Sequence, residues 1–401
     1  MQEFQYCVPT KIIFGPGAEE QSGRAALEEG AKRVLALYGG GSAVRSGLVG
    51  RVQASLENAG IHVSVKGGVQ PNPDISFAAE TVSQYRNTSI QLVLAIGGGS
   101  VADTAKAVAI GLAGAEGEIE SVFQKGRRPQ GALPVGAVVT IAASGSEASP
   151  TAVLSDTETH EKLLCTDSRI VPRFAILNPE LTYTTPPLQT ACGVVDILMH
   201  TLERYLASQG RNETTDALAE GLLRTVLRYG CICLECPDNY EARSEILWCG
   251  SLSHNGLTGL GRECAFPLHA LSHELTAAYG LPHGMSLAIL WPAWARAVEE
   301  TLAARFARLG RSVFGTAEAD AAADARRCIA SLTAYFSALA LPASLSQSPA
   351  GLVPDQDLRR FAANCTRGGG ILAGPGSLDF EAVLEIYRAA NTGLSSACGP
   401  F

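Results

Sequence analysis

The sequence is poor in charged residues and has no excess of positive charge. Charged side chains make up 17% of the 401 residues, below the roughly 25% that is usual in globular domains. The 31 Lys and Arg against 39 Asp and Glu give a formal net charge of −8. Such a chain has no electrostatic footprint for nucleic acid or an anionic membrane, and we expect neither as a partner. With 46% hydrophobic residues it can bury a large core, which excludes disorder as the dominant state.

Long apolar runs and a regular cysteine pattern are also missing. No run approaches the roughly 18 uninterrupted apolar residues that a membrane-spanning helix needs. The segment Met1–Tyr6 lacks the basic start and the apolar stretch of a secretory signal. The 11 cysteines are an odd number scattered over a long chain, unlike a disulfide framework. Reduced thiols are the simpler interpretation, so we expect a cytoplasmic protein.

Glycine, by contrast, is abundant, with 42 residues, and much of it lies between predicted strands and helices. Amphipathic stretches alternate with short apolar runs, at 33–38, 61–65, 92–96 and 135–141. Continuous apolar strands separated by helices predict a parallel sheet covered on both faces. In such sheets ligands bind beyond the carboxyl ends of the strands. Two glycine-rich turns, at 39–42 and 97–100, fall at such ends.

The pattern changes after Asn178–Pro179, and Pro187 lies close to a predicted helix start. Most later segments have the period of helices: 188–208, 213–230, 240–260, 267–279, 285–298, 301–313, 319–339 and 379–390. We therefore predict an α/β domain over 1–185 and an all-helical domain over 186–401.

The two glycine turns are weak signals when each is taken alone. Neither is G-x-G-x-x-G, and neither has the lysine of a GxxxxGK[ST] loop. A tight strand–helix junction explains each of them at least as well. A glycine-rich turn also lets backbone N–H groups approach a pyrophosphate, whose charge the helix dipole favours. Two such turns in one parallel sheet favour a dinucleotide.

Acidic and imidazole side chains recur at helical spacing in the second half of the chain. The candidates are Asp196, His200, His269, His273 and His283. Residues four apart share one helix face, where two of them can bind one divalent cation. Three histidines and one carboxylate suit Zn²⁺ or Fe²⁺, and spacing alone does not decide which histidine stays outside the metal site. The alternatives are a surface pair at 196 and 200 and buried histidines that are hydrogen-bonded to neighbours.

Four segments together resemble the iron-containing alcohol dehydrogenase family. They are GGGSVAD at 97–103, SGSE at 144–147, Asp196-x3-His200 and His269-x3-His273-x9-His283-Gly284. Within the family, the segments 38–42, 199–203 and 273–277 resemble the branch of butanol dehydrogenases and broad aldehyde reductases. The resemblance covers nearly the whole chain in family order, and its metal motif is highly specific.

The resemblance implies a fold and a set of site residues. The fold would be a Rossmann-like, dinucleotide-binding α/β domain followed by an all-α metal-binding domain, as in dehydroquinate synthase. The metal ligands would be Asp196, His200, His269 and His283. His273 would lie near the nicotinamide ring and act as the catalytic proton relay. The cofactor site would comprise Gly39, Gly40, Gly41, Ser42, Gly97, Gly98, Gly99, Ser100, Asp103, Thr140 and Lys162.

The resemblance also suggests which dinucleotide binds. Relatives that use NAD place an acidic residue after the first strand for the ribose 2′-hydroxyl, and here that position is Gly39. Without a carboxylate there is room for a 2′-phosphate, with Ser42 and Arg45 as partners. We therefore expect NADP(H) to be preferred over NAD(H), in a homodimer that transfers hydride to or from a small primary alcohol or aldehyde.

Two other kinds of function stay open. One is another enzyme of the same fold, similar to dehydroquinate synthase or to glycerol dehydrogenase; the other is a non-catalytic protein that binds nucleotide or assembles with partners. A synthase of the first kind needs several cationic groups against an acidic substrate, whereas 252–268 offers only Arg262 among Lys and Arg. The segment 231–236 contains a C-x2-C pair, but no second pair lies close, so we predict structural thiols there.

Overall fold

A computed structural model describes residues 1–159, 161–207 and 212–393 of the chain. These residues form two units. The sheet unit comprises Cys7–Thr185 and Pro237–Asn255, and the helical unit comprises Met1–Tyr6, Pro186–Cys236 and the described residues from Gly256 onward. The helix after Pro237 thus belongs to the unit that precedes it in the chain. Whether 1–185 and 186–401 behave as separate domains stays a prediction.

The sheet unit is built on parallel strands. In chain order the strands are β1 (Lys11–Phe14), β2 (Arg33–Tyr38), β3 (His62–Lys66), β4 (Leu92–Gly97), β5 (Val135–Val139), β6 (Thr151–Asp156), β7 (Glu161–Thr166) and β8 (Phe174–Leu177). Six of them form one sheet in the order β1-β8-β5-β4-β2-β3, and every pairing in it is parallel. The hairpin of β6 and β7 is antiparallel.

Both faces of the parallel sheet are covered, as the continuous apolar runs predict. Val34 and Ala36 of β2 belong to one apolar cluster, whereas Leu35 and Leu37 belong to another. Alternate side chains of a strand point to opposite faces, so each cluster lies against one face of the sheet. A strand that is buried on both sides has to be apolar at every position, and this explains the absence of alternation in the sequence.

The two glycine turns lie side by side at one edge of this sheet. Strands β2 and β4 are direct neighbours, with Tyr38 in register with Ile96. Gly39 and Gly97 follow these two residues, so both turns leave the sheet at the carboxyl ends of adjacent strands. This is the edge at which parallel sheets bind ligands.

The helices divide between the two units. The sheet unit contains α1 (Ser22–Glu28), α2 (Ser42–Arg45), α3 (Leu48–Asn58), α4 (Ile75–Tyr85), α5 (Gly99–Ala113), α6 (Glu118–Phe123) and α9 (Tyr240–His254). The helical unit contains α7 (Pro187–Leu206), α8 (Glu213–Glu235), α10 (Pro267–Tyr279), α11 (His283–Leu309), α12 (Ala321–Ala338), α13 (Asp355–Cys365) and α14 (Phe380–Thr392). The predicted all-helical second part is confirmed.

Several elements differ from the prediction. The helices expected at 285–298 and 301–313 are one helix, α11, followed by a π-helical turn at Gly310–Phe314. The polar residues between them do not break it, because the buried Val298 and Leu302 continue the same face. Helix α13, which buries Leu358, Phe361 and Ala362, was not predicted. Neither were the strands β1 and β8 and the β6–β7 hairpin.

The described residues bear on the expectations about membrane-spanning helices and disulfides. Among them, no helix is both long enough and apolar enough to cross a bilayer. Ten cysteines lie in the described part of the chain, and they occur there as thiols rather than as disulfides. These include Cys231, Cys233 and Cys236, the residues of the C-x2-C segment.

Candidate metal centre

Helix α7 supplies the first pair of candidate ligands. It begins with Pro187 at its first turn, a position where a missing N–H costs nothing. Asp196 and His200 lie one turn apart in its buried middle. The Nδ1 atom of His200 lies 3.0 Å from the carbonyl oxygen of Asp196 and 3.2 Å from its carboxylate Oδ1. Asp196 and His200 are therefore buried together, and the alternative of a surface pair is excluded.

Helix α10 brings His269 to the same carboxylate. Pro267 starts this helix, and Gly280 ends it with a left-handed φ of 65°, a conformation that favours glycine at a helix end. His269 lies in the first turn, and its Nε2 is 3.6 Å from Asp196 Oδ1. The ring centroids of His200 and His269 are 4.4 Å apart.

A close approach of two helices places His283. It is the first residue of α11, and its Nε2 also lies 3.6 Å from Asp196 Oδ1. The next residue is Gly284, where an added Cβ would overlap the backbone carbonyl of Cys192 in α7. Only glycine allows α11 to come this close to α7. The His-Gly pair at 283–284 thus has a steric reason as well as a chemical one.

Buried polar atoms without hydrogen bonds mark the centre of the cluster. The candidate ligand atoms of Asp196, His200 and His269 all lie within 4.8 Å of one another. Asp196 Oδ1 and His269 Nε2 are buried, and neither has a hydrogen-bond partner. An unsatisfied buried polar group costs about 1–3 kcal/mol, and a divalent cation would satisfy both atoms at once. Nitrogen and carboxylate donors fit Zn²⁺ or Fe²⁺.

A further carboxylate, Glu203, controls the charge of His269. Burial lowers the pKa of His269, but the carboxylates of Glu203 and Asp196 more than offset this and raise it to about 9. Glu203 Oε2 is hydrogen-bonded to His269 Nδ1. No role was predicted for Glu203, although it lies on the same face of α7 as Asp196 and His200. The spacing i, i+4, i+7 was the signal that could have identified it.

His273 lies beside the cluster rather than in its centre. It shares a face of α10 with His269, and its ring centroid is 5.5 Å from that of His283. The side chain is partly exposed, in contrast to His200 and His269. The structure therefore brings together the four predicted ligands and places the predicted proton relay next to one of them. These roles stay predictions.

Arg262, the one Lys or Arg of the segment 252–268, takes part in a buried ion cluster near the end of α7. Arg262 Nη2 donates to Asp216 Oδ1 at 2.6 Å, and its Nη1 donates to the carbonyls of Arg204 and Tyr205. Arg305 donates to both oxygens of the same carboxylate. The guanidinium of Arg262 is thus used in hydrogen bonds within the protein. It offers no charge to an acidic substrate, which disfavours a dehydroquinate synthase type of reaction.

The predicted cofactor residues lie in the sheet unit. Gly97, Gly98 and Gly99 form the turn into α5, whose start has no side-chain cap. An added Cβ at Gly97 would overlap Val101, and one at Gly99 would overlap Ser144. The glycines are therefore required for packing, while the uncapped N–H groups of α5 can receive an anion. Thr140, next to this turn, donates its N–H to the carbonyl of Gly97 at 3.1 Å.

The turn after β2 has a cationic neighbour. It comprises Gly39, Gly40, Gly41 and Ser42, followed by α2. The guanidinium of Arg45 lies over Gly41, where an added Cβ would be 2.5 Å from its Nη1. Ser42, Arg45 and most of the turn are exposed. The structure thus places Arg45 near the position at which the 2′-phosphate was predicted.

Two predicted cofactor residues belong to a buried polar network. Asp103 accepts from Ser146 Oγ at 2.6 Å and from the N–H of Val153 at 3.1 Å, and burial raises its pKa. Lys162 Nζ donates to Asn72 and Ser155, both at 2.9 Å. Burial lowers the pKa of Lys162 to about 8, although the carboxylate of Asp103 opposes the change.

Lys106, for which no role was predicted, completes this network. It is fully buried and donates to Ser146 Oγ and to the carbonyls of Ser149 and Thr151, at 2.7, 3.0 and 2.6 Å. Burial lowers the pKa of Lys106 to about 8, against the attraction of Asp103 and Glu147. Ser146 accepts from Lys106 and donates to Asp103, so it links the two charges.

Comparison with known proteins agrees with this arrangement. The profile of the family "Iron-containing alcohol dehydrogenase" matches residues 9–179, and "Fe-containing alcohol dehydrogenase family, C-terminal" matches 190–391. The NADH-dependent butanol dehydrogenase A of Clostridium acetobutylicum is 36% identical, over 97% of this chain and 99% of its own. The NADPH-dependent aldehyde reductase YqhD of Escherichia coli is 35% identical, over 86% and 89%.

Solved structures show the same similarity. A butanol dehydrogenase A from Thermotoga maritima superposes with a TM-score of 0.92 at 33% identity, over 97% of this chain and 99% of its own. YqhD of Escherichia coli superposes with a TM-score of 0.90 at 32% identity, over 97% and 99%. The chain belongs to the iron-containing alcohol dehydrogenase family, and it is an oxidoreductase that interconverts alcohols and aldehydes with a metal ion and a nicotinamide cofactor.

Proposed function

We propose that the protein transfers hydride between NADP(H) and a small primary alcohol or aldehyde, with a divalent cation at the centre formed by Asp196, His200, His269 and His283. The observation that carries this proposal is that Asp196 Oδ1 and His269 Nε2 are buried 3.6 Å apart and neither makes a hydrogen bond. Both belong to residues that the family resemblance names as ligands.

The chain's own residues divide the work at this centre. A bound divalent cation supplies Lewis acidity that polarises a carbonyl group. Asp196 would contribute a negative charge to the bound ion, and the histidines would contribute imidazole nitrogens. Phe266 packs edge-on against His200 and His269, with centroids 6.3 and 5.6 Å away, and so helps to exclude water from these two rings. Hydride transfer itself needs mainly positioning and electrostatics from the protein.

His273 is the proposed proton relay. It lies beside the imidazole of His283 and is partly exposed, so it can exchange protons with solvent. The ordinary titration range of histidine includes neutral pH, which suits the protonation of an alkoxide or the deprotonation of an alcohol.

The turn after β2 supports NADP(H) over NAD(H). Gly39 offers no carboxylate to a ribose 2′-hydroxyl, and the exposed guanidinium of Arg45 would attract a 2′-phosphate. Among the relatives, the Clostridium acetobutylicum enzyme is named NADH-dependent and the Escherichia coli enzyme NADPH-dependent. We assign the phosphates of the cofactor to the Gly97–Ser100 turn, and Asp103, Thr140 and Lys162 to the groove beside it.

The remaining assignments concern the metal and the assembly. The donor set suits Fe²⁺ and Zn²⁺ alike, and the family name favours iron. We propose a cytoplasmic homodimer. The ten described thiols support a reducing compartment. The edge strand β1 carries an exposed Phe14 that a second subunit would cover.

A spectrophotometric assay tests the proposed reaction. Purified protein is mixed with NADPH and a short aldehyde such as butanal, and the nicotinamide absorbance is followed with and without a chelator. We expect oxidation of NADPH that the chelator abolishes and that added Fe²⁺ or Zn²⁺ restores. Nucleotide binding without turnover under all these conditions would favour the non-catalytic alternative. Elemental analysis of protein purified without added metal identifies the ion, and light scattering on a sizing column gives the oligomeric state.

A further inference from the structure

We propose that Glu203 is a positioning residue of the metal centre, which holds His269 in the tautomer whose Nε2 faces Asp196. This inference rests on the proposed metal site. Glu203 is 2% exposed and lies in α7, one turn after His200. Its Oε2 is hydrogen-bonded to His269 Nδ1, and its Oε1 accepts from the N–H of Leu268 at 2.6 Å.

The carboxylate joins the two helices that supply the ligands. The N–H of Leu268 belongs to the first turn of α10, where backbone donors have no partner within the helix. Glu203 satisfies this donor and the imidazole next to it with its two oxygens. One side chain of α7 therefore fixes both the position of the α10 start and the rotation of the His269 ring.

The Nδ1 atoms of the other two candidate imidazoles also have neutral oxygen neighbours. His200 Nδ1 lies 3.0 Å from the carbonyl oxygen of Asp196, and His283 Nδ1 lies 3.3 Å from Ser272 Oγ. In each case Nδ1 is engaged, and His283 presents its Nε2 to Asp196 Oδ1 at 3.6 Å, as His269 does. Glu203 is the charged member of this outer layer. A carboxylate behind a ligating imidazole fixes its tautomer and raises its basicity.

The charges agree with this role. Asp196 and Glu203 together place two negative charges beside the three imidazoles, and one divalent cation balances them. Burial of both carboxylates makes this balance important, since an uncompensated buried charge is costly. Asp196 and Glu203 therefore both supply negative charge that balances the cation, and Asp196 alone of the two is a proposed ligand.

An amide cannot replace this carboxylate. Gln has one oxygen, whereas Leu268 N–H and His269 Nδ1–H are two donors. If the oxygen faces Leu268, the amide NH₂ faces His269 and forces Nδ1 to act as acceptor. The proton then moves to Nε2, which can no longer bind a metal. If the oxygen faces His269, the N–H of Leu268 loses its partner. Glu203→Gln thus changes the bonding while conserving size.

The test is a titration of metal-free protein with Co²⁺, followed by the visible absorption of the bound ion and by competition with a chelator. We expect Glu203→Gln to bind Co²⁺ about 10- to 100-fold more weakly than the wild type. The matched control is Glu220→Gln. Glu220 is also buried in the helical unit, and it accepts from Tyr205 and Arg308, both at 2.9 Å. This control should keep the wild-type affinity.

The outcomes separate the inference from the proposed function. Failure of the wild type to bind Co²⁺ would contradict the proposed metal site. Equal affinity of the wild type and Glu203→Gln would overturn the role of Glu203 while the metal site stands. A lower melting temperature of the metal-free variant with unchanged Co²⁺ affinity would also overturn this role, because it would show that Glu203 contributes only to stability.

A second variant covers the case in which Glu203→Gln does not fold. Glu203→Asp keeps the charge but is one methylene shorter, so it cannot reach both Leu268 N–H and His269 Nδ1. We expect it to weaken Co²⁺ binding as well. Wild-type affinity in Glu203→Asp would show that only charge matters and would overturn the positioning role.

Discussion

At the scale of single residues, burial determines the pH at which Lys162 in the proposed nucleotide site loses its positive charge. Lys162 is half-buried between Asn72 and Ser155, and its pKa is lowered to about 8. The folded-state pKa lies below the ordinary value of 10.5. The ammonium is therefore present below about pH 8 and is lost above it, whereas an exposed lysine keeps its charge up to about pH 10.

The first prediction concerns this titration. In the wild type, NADPH affinity should fall as pH rises through about 8, because Lys162 loses its charge. Lys162→Gln should bind NADPH about 10-fold more weakly at pH 7, and the difference from the wild type should disappear by pH 9.5. Calorimetric titrations between pH 6.5 and 9.5 measure this. The exposed Lys125 supplies the control, since Lys125→Gln should leave the wild-type profile unchanged. A constant difference across this pH range would remove Lys162 from the site.

The second prediction concerns the selection of the nicotinamide cofactor. A Cβ at Gly39 would lie 3.3 Å from the carbonyl of Val69 and 3.5 Å from Val101, so a side chain fits after a small shift. Gly39→Asp should repel a 2′-phosphate and bind a 2′-hydroxyl. We expect the ratio of kcat/KM for NADPH to that for NADH to fall by about 10-fold or more. Gly39→Ala adds the same carbon without charge and should change this ratio little. An unchanged ratio in Gly39→Asp would exclude Gly39 as the selector.

At the scale of elements, one helix crossing determines the geometry of the metal centre. Helix α11 touches α7 at Gly284, where there is no space for a Cβ beside the carbonyl of Cys192. Cys192 lies one turn before Asp196, and His283 precedes Gly284. The distance between these helices therefore sets the distance between two candidate ligands.

The third prediction tests this crossing. Gly284→Ala should push the start of α11 away from α7 and move His283 from Asp196, so the zinc content after dialysis against Zn²⁺ should fall well below that of the wild type. Overpacking of a tight contact also lowers stability, by about 1–3 kcal/mol. Gly221→Ala is the matched control, because this helical glycine in α8 has only Arg224 near its Cβ position, at 3.9 Å. The control should retain zinc and gain stability, since alanine favours a helix. Full zinc content in Gly284→Ala would show that the crossing tolerates a Cβ.

The elements also show what sequence alone can predict. Helix α10 begins and ends as predicted, because Pro267 and Gly280 mark its ends chemically. The buried strands β2 and β4 were predicted because apolar runs between turns have few other interpretations. The break inside α11 was wrong, since polar residues without glycine do not stop a helix whose buried face continues. The role of Glu203 was missed because its spacing places it on the face of Asp196 and His200 but does not show that it meets the start of α10.

At the scale of the whole molecule, the two halves of the chemistry belong to different units. Asp196, His200, His269 and His283 all lie in the helical unit, whereas the glycine turns, Asp103 and Lys162 lie in the sheet unit. Each set is held by hydrogen bonds within its own unit. Loss of the metal site should therefore leave the nucleotide site formed, although the reaction needs both.

The last prediction uses this separation. His269→Ala removes one candidate ligand and leaves Glu203 and Asp196 without their partner, so metal should be lost, turnover abolished and stability lowered by about 1–3 kcal/mol. The affinity for NADPH should stay within about twofold of the wild type, since RT ln 2 is well below the energy of one hydrogen bond to a charged group. Calorimetric titration with NADPH, elemental analysis and the aldehyde assay are run at one temperature at which circular dichroism shows the variant folded. His62→Ala, at an exposed histidine of β3, is the control and should keep all three properties. Metal content and turnover equal to those of the wild type in His269→Ala would refute the ligand assignment, whereas loss of NADPH binding would show that the two units do not act independently.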